Sequence, residues 1–243
     1  MNPLCLAKPV FPPYVAEMKE KMTNELEKIT LTEDPACQTR TSHLDLPPLL
    51  GEESSESRRA LHVSETIIAA TRDWLEKAVI GLNLCPFAKA VHVKQQIRYV
   101  VSAATTEEAL LLDLLVELRR LQDTDADLLD TTLLIHPYVL TDFLDYNDFL
   151  DTVDIAVAEP EFNDAFQVAS LHPRYQFAGT QVDDIENYTN RAPYPTLHLL
   201  REASVDRAVD AFPDADHIPD TNIETLQKLG HTGWEKLGLF KTV

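Results

Sequence analysis

The sequence predicts one α/β domain, with a mostly parallel sheet of roughly four strands flanked by helices, behind an irregular N-terminal extension. From residue 61 onward, short β-branched or apolar runs alternate with helical segments, which is the pattern of strands joined by crossover helices. The runs LLI, VASL and LHLL are apolar without alternation, as expected for strands covered on both faces.

The first elements begin with a helix and a strand. Ser64 is placed to cap a helix whose apolar positions between residues 67 and 82 recur at helical spacing. The β-branched segment at 97–103 then predicts a strand. The sequence TTEE at 105–108 is a capping box, and it predicts a leucine-rich helix that runs to about Leu121.

The rest of the domain alternates strands and helices in the same way. Three further strands are predicted, two of them joined by a helix, and two helices follow the last strand. In chain order the elements are a strand at 131–135, a helix within 141–158, a strand at 166–171, a helical turn near 182–188, a strand at 196–200, and helices near 205–212 and 223–229.

Residues 1–60 differ in character from residues 61–243. They are rich in proline, they end in the polar run GEESSESRR, and no apolar periodicity continues long enough to promise a core. This composition predicts a poorly ordered or loosely packed extension, and residues 61–243 are predicted to form the α/β domain.

Charge and composition exclude several classes of protein. The formal net charge of −19 disfavours binding to nucleic acid and to anionic membranes. No stretch has the length and apolarity of a membrane helix, and the first residues do not resemble a secretory signal. The three cysteines are too few and scattered for a disulfide framework, so a cytoplasmic location is expected. No Gly-rich phosphate loop is present, and the sequence assigns no cofactor.

Two histidines follow predicted strands, and each is followed by a proline. His136 comes after LLI and His172 after ASL, where ligands bind in open α/β sheets if the strands are parallel. The prolines hold both histidines extended, so both imidazoles can point in a consistent direction. They are candidate acid–base residues or metal ligands. The alternative is that each His-Pro pair ends a strand and its ring binds a nearby carbonyl.

Three arginines lie close together in an otherwise acidic sequence. Arg174, Arg191 and Arg201 are candidates for binding an anion, because the guanidinium group suits carboxylates and phosphates. Tyr194, in the loop before the fourth strand, is a candidate contact to the same ligand. The alternative is that the arginines only neutralise nearby carboxylates.

Cys85 precedes a proline, and Pro86 is compatible with the first position of a helix. Cys85 would then be an N-cap whose thiolate is stabilised by the helix end, and thus a candidate nucleophile or redox group. The alternative is a buried structural cysteine.

Several long motifs resemble a mainly bacterial family known as domain of unknown function number fourteen-fifteen. They are LNLCPFAK, QVASLHPRYQFAGT, DDIENYTNRAPYPTLHLLRE and IPDTNIETLQKLG, and the resemblance covers about residues 71–230. It implies that these motifs form one unit, and it supplies no reaction.

The leading hypothesis is a cytoplasmic enzyme that acts on a small anionic metabolite through His136, His172 and the arginines. A non-catalytic domain that binds a ligand or a partner is one alternative. A metalloprotein using both histidines with Asp142, Asp145 or Asp183 is another. The geometric expectation is that both histidines and at least one of Arg174, Arg191 and Arg201 face a common cleft at one end of the sheet. A parallel fourth strand would carry Arg201 to that end. The substrate and the oligomeric state are not predicted.

Overall fold

A computed structural model describes residues 55–212 and 215–239 of the chain. Residues 1–54, which make up most of the predicted extension, lie outside the described residues, as do Cys5 and Cys37. Helix α1 (Ser55–Trp74) begins well before Ser64. The prediction that Ser64 caps this helix is therefore wrong, since Ser64 lies in its interior.

Helix α1 continues into a π-helical turn, Leu75–Ile80, and a short helix α2 (Ala88–Val93) follows after a loop. The apolar positions predicted from the helical spacing are the ones that become buried. Ile67, Trp74 and Leu75 enter a core that also contains Leu133 and Ile135 of the sheet. This core covers one face of the sheet.

The sheet has four strands in the order β1-β2-β4-β3. Their bounds are β1 (Ile97–Val101), β2 (Thr131–Ile135), β3 (Phe166–Leu171) and β4 (Thr196–Arg201). Strands β1 and β2 are parallel, whereas β4 is antiparallel to both of its neighbours, β2 and β3. The α/β class is confirmed, but the prediction of a mostly parallel sheet is wrong because the sheet is mixed.

Two long helices cover the other face of the sheet. Helix α3 (Glu107–Asp123) joins β1 to β2, and helix α4 (Phe143–Val157) joins β2 to β3. The cap of α3 is Thr106, whose hydroxyl accepts a hydrogen bond from the amide of Ala109 at 3.3 Å. It lies one residue after the predicted cap, Thr105.

The remaining helices are short or bent. The segments Ile185–Asn190 and Ala215–His217 are 3₁₀ turns, and α5 (Glu202–Asp210) follows β4 directly. Helix α6 (Ile218–Glu235) is kinked at Gly230, whose φ of 63° suits glycine. None of the described helices is long and apolar enough to cross a membrane.

The position of β4 decides which residues share an end of the sheet. Ile135, Thr196 and Leu171 are aligned across β2, β4 and β3, so His136 and His172 lie at the same end. Arg201 is paired with Phe166 at the opposite end. The prediction that Arg201 reaches the histidines is wrong, because it required β4 to run parallel to its neighbours.

Candidate functional site

Tyr146 of α4 closes the end of the sheet where β3 and β4 meet. Its hydroxyl donates a hydrogen bond to the carbonyl of Thr196 at 2.9 Å and accepts one from the amide of Leu171 at 3.1 Å. The side chain is completely buried, and burial raises the pKa of Tyr146 well above its ordinary value. The hydroxyl is therefore a neutral bridge between the two strands.

The imidazoles of His136 and His172 both contact the ring of Tyr146. The centroid of His136 lies 5.6 Å from the Tyr146 centroid in a stacked arrangement, and that of His172 lies 5.2 Å away with a tilt. Because both distances are measured from the Tyr146 centroid, the centroids of the two imidazoles are separated by no more than the sum of these distances. Both histidines have no exposed surface.

Hydrogen bonds at Nδ1 assign a different tautomer to each histidine. Nδ1 of His136 lies 3.1 Å from the carbonyl of Val139, which can only accept, so Nδ1 carries the proton and Nε2 has a free lone pair. Nδ1 of His172 accepts a hydrogen bond from the amide of Arg174 at 3.0 Å, so the proton of neutral His172 is on Nε2. Within the described residues, neither Nε2 atom makes a hydrogen bond of normal geometry, although the carbonyl of Leu140 lies close enough to His172 to raise the pKa of its ring.

Burial keeps both histidines neutral at pH 7. It lowers the pKa of His136 to about 4, partly opposed by the carbonyl of Val139. It lowers the pKa of His172 to about 4 as well, partly opposed by the carbonyl of Leu140. The site therefore combines one unprotonated Nε2 with one Nε2–H, without a net charge.

The loop at 137–142 contacts both histidines and forms one wall of a surface groove. This groove, of about 510 Å³, separates the first turns of α3 and α4, and neither histidine lines it. Its lining residues are Thr105, Thr106, Glu107, Glu108, Val139, Leu140, Thr141, Asp142 and Asp145. Four of the nine lining residues are acidic and none is basic, and residues 139–141 lie between the groove and the imidazoles.

Arg174 holds this loop in place, although one residue of the loop has an unfavourable backbone conformation. Leu140 has a φ of 55°, a conformation that is uncommon for a residue other than glycine. The guanidinium of Arg174 donates to the carbonyl of Thr141 at 3.1 Å and to Oδ2 of Asp142 at 2.9 Å. Asp142 also caps α4, and the Leu144 amide is the main cause of its lowered pKa. Arg174 thus lies at the rim of the groove, at the same end of the sheet as the histidines.

The other two arginines bind backbone carbonyls elsewhere. Arg191 is largely buried and donates to the carbonyls of Tyr175 and Val182, with its guanidinium 4.3 Å from the centroid of Tyr188. Arg201 donates to three carbonyls near the end of α3, those of Leu121, Thr124 and Leu129. The predicted cluster of three arginines around one anion does not form.

Tyr194 and Cys85 both contact the core on the other face of the sheet. Cys85 lies just before the N-terminus of α2, as expected, but the N-cap position itself is Phe87. Burial raises the pKa of the Cys85 thiol, although the amides of Phe87 and Ala88 oppose this effect. These properties match the structural alternative rather than an activated nucleophile.

The described residues contain no group of three or more His, Cys, Asp or Glu side chains that could hold a metal ion. Sequence reasoning also missed Tyr146, the residue that joins the two histidines. Its spacing from Phe149 and Val153 marks it as part of the buried face of α4. That signal identifies a core position but does not reveal that the hydroxyl binds two strands.

Comparison with known families supports the resemblance found in the motifs. The family described as "protein of unknown function (DUF1415)" matches residues 66–236. A search of curated proteins and a search of solved structures found no match. The match covers both histidines, Tyr146 and the groove.

Proposed function

We propose that this protein, which belongs to the DUF1415 family, is an enzyme that transfers protons on a small polar metabolite through His136 and His172. The observation that carries the proposal is the pair of buried Nε2 atoms without partners, one a free lone pair and the other an N–H group. Buried polar atoms without partners are rare in native proteins, and such exceptions occur at catalytic sites and at sites of bound water.

The two histidines would have different roles. His136 Nε2 would accept a proton as a general base, and His172 Nε2–H would donate a hydrogen bond to an oxygen that gains negative charge. His172 would act as a neutral donor rather than as an imidazolium, because its pKa of about 4 leaves it uncharged at pH 7. A ligand that donates a hydrogen bond to His136 would raise the pKa of His136 and make it a stronger base.

Access would require the loop at 137–142 to move. The groove beside this loop lies at the N-terminal ends of α3 and α4 and near the carboxyl end of β2, which is a common position for a ligand in α/β sheets. Residues 139–141 lie between this groove and the imidazoles. We therefore propose the groove as the entrance to the site.

An anionic substrate is the narrower form of the proposal. Arg174 and the positive ends of the two helices support it. The carboxylates of Glu107, Asp142 and Asp145 in the groove oppose it, and Arg174 would have to leave Asp142 to bind an anion. Replacing Arg174 with Gln should raise KM for an anionic substrate and leave KM for a neutral one unchanged.

Metabolite profiling tests the proposal. The purified full chain is incubated with a mixture of polar metabolites, and mass spectrometry follows which compounds disappear and which appear. The same mixture is given to the variants His136→Gln and His172→Gln, and to His198→Gln as the matched control. His198 also has a pKa lowered to about 4 by burial, but its Nε2 is bonded to Thr131 inside the sheet.

We expect wild type and the folded control to convert the same compound. His136→Gln should be slower by about a hundredfold or more, the usual contribution of a general base. Melting curves of all variants separate loss of activity from loss of fold. If wild type converts nothing, or if both site variants are as fast as wild type, the enzyme proposal is wrong.

The second candidate is a non-catalytic domain that binds a ligand in the same groove. It is favoured by the complete burial of both imidazoles beneath the loop. In that case a compound from the mixture would raise the melting temperature of the protein and remain chemically unchanged.

We also propose a cytoplasmic location, without nucleic-acid or membrane partners. The net charge of −19 and the free thiol of Cys85 support this. Cell fractionation that places the protein outside the cytoplasm would contradict it.

A further inference from the structure

Strand β3 forms one edge of the sheet, and its outer side has no neighbouring strand among the described residues. Asn190 covers the last part of this edge, because its side chain donates to the carbonyl of Ser170 and its own carbonyl accepts from the amide of His172. All six residues of β3 are paired with β4 on the inner side. Its sequence, FQVASL, has no charge and no proline, and its four central residues are half-buried. Natural proteins usually protect such an edge with charges, prolines, bulges or a covering segment, because an exposed edge strand binds other strands.

A groove of about 620 Å³ runs beside the first half of β3, at the end of the sheet opposite the histidines. It is lined by the end of α4, the loop before β3, residues 166–168 of β3 itself, and the start of α5. Four carboxylates line it, those of Asp154, Asp164, Glu202 and Asp206, and no Lys, Arg or His does. None of the four has an ion-pair partner in the described part of the chain.

The carboxylates lie on both faces of the sheet around this edge. Phe166 points toward the layer of α4, where its ring contacts Phe162. The next side chain, Gln167, points to the opposite face, where its amide lies 3.5 Å from Glu202. A strand added beside β3 would therefore send alternate side chains toward Asp154 on one face and toward Glu202 on the other.

We propose that the outer edge of β3 and this groove bind an extended, basic segment of another protein as an additional strand. The backbone of the segment would pair with β3, and its Lys or Arg side chains, at both alternating positions, would contact the four carboxylates. The part of β3 before Ser170 sets the paired stretch at about four residues, or about 13 Å, and the side chains that flank it reach the carboxylates.

Charge argues against a second copy of this chain as the occupant. Pairing β3 with another β3 would bring two such grooves together, with four carboxylates on each side, in a protein of net charge −19. Like charges placed together at an interface oppose association. A basic segment has the opposite charge, so the four carboxylates of the groove would favour its binding.

The test uses the purified full chain and the blocked hexapeptide KKVVKK, which carries Lys at both alternating positions. Binding is followed by NMR, through the amide signals of Gln167, Val168 and Ala169. Two peptides serve as controls: EEVVEE, and KKVVKK with alternate backbone nitrogens methylated, which keeps the charge but removes the donors needed for strand pairing. We expect KKVVKK to bind, the methylated peptide to bind at least about tenfold more weakly, and EEVVEE not to bind.

Two double variants separate local from general electrostatics. Asp154→Asn with Asp206→Asn removes two groove charges and should weaken binding of KKVVKK by at least about tenfold. Glu65→Gln with Asp220→Asn removes the same number of exposed charges from helices outside the groove and should leave binding unchanged.

The proposal is overturned if KKVVKK shifts no β3 amide at about 1 mM. If the protein bound KKVVKK and its methylated form with equal affinity, the interaction would be charge attraction without strand pairing. If the two double variants bound KKVVKK with equal affinity, the groove would not be the binding site. A dimer in sedimentation, with the β3 amides already protected from exchange, would show that a second copy covers this edge instead.

Discussion

Replacing Tyr146 with Phe removes one hydroxyl and leaves the aromatic ring between the two histidines. The hydroxyl bridges the amide of Leu171 and the carbonyl of Thr196 in a fully buried position. Leaving a buried donor without a partner costs about 1–3 kcal/mol, and losing the bond to the carbonyl costs about 1 kcal/mol more. We expect the free energy of unfolding to fall by about 2–4 kcal/mol.

Urea denaturation at pH 7 measures this loss, and Tyr138→Phe is the matched control. Tyr138 is 51% exposed, so losing its hydroxyl should change the free energy of unfolding by no more than about 0.5 kcal/mol. Hydrogen exchange should also show faster exchange at the Leu171 amide in Tyr146→Phe. If the two variants lose the same small free energy, the hydroxyl does not bridge the strands and our account of the site is wrong.

Three further predictions follow from buried polar groups. Lowering the pH from about 6.5 to 4 should lower the free energy of unfolding by roughly 3 kcal/mol for each of His136, His172 and His198. The reason is that an unfolded histidine takes up its proton near pH 6.5, whereas these folded histidines do so only near pH 4. A urea midpoint that stays constant over this pH range would contradict the effect of burial on the three pKa values. The Cys85 thiol should be alkylated more slowly at pH 8 than a free thiol, because burial raises its pKa. Peptide mapping measures the rate at Cys85, and faster alkylation would indicate an activated thiolate. Arg201→Met should lower the free energy of unfolding by about 2–4 kcal/mol through its lost bonds to carbonyls, and should leave ligand binding at the histidine end unchanged.

The strands were predictable from the sequence because each is a short apolar run with clear limits. The bounds of β2 and β3 agree with the prediction, and β4 extends one residue beyond it, to Arg201. The start of α1 was not predictable in the same way. The polar residues that open it carry no apolar periodicity to mark a helix.

The direction of β4 could not be predicted from local sequence. The connection between β3 and β4 is long enough for either direction, and side-chain pattern does not encode which neighbour a strand selects. The unknown direction of β4 affected the predicted position of Arg201 but not the predicted positions of the two histidines. His136 and His172 share an end of the sheet because β2 and β3 point the same way, whereas Arg201 is carried to the other end by the reversed strand.

Closeness along the chain was a poor guide to what the arginines bind. Arg191 and Arg201 lie in one polar segment, but their donors are directed at backbone carbonyls from different parts of the fold. Such carbonyls are invisible in a sequence, since every residue has one. The histidines were easier to locate because the prolines after them mark the ends of two strands.

The insertion of β4 between β2 and β3 also sets the order in which the sheet can be completed. Strand β3 pairs only with β4, so it has no place in the sheet until residues 196–201 are available. During synthesis, β2, whose five residues are all buried in the fold, would have one unpaired edge until that late segment emerges from the ribosome. Pairings between segments so distant in the chain form slowly and leave aggregation-prone edges exposed meanwhile. We therefore expect chains that stop before β4 to depend on chaperones, and the full chain to fold in a final step that closes the gap between β2 and β3.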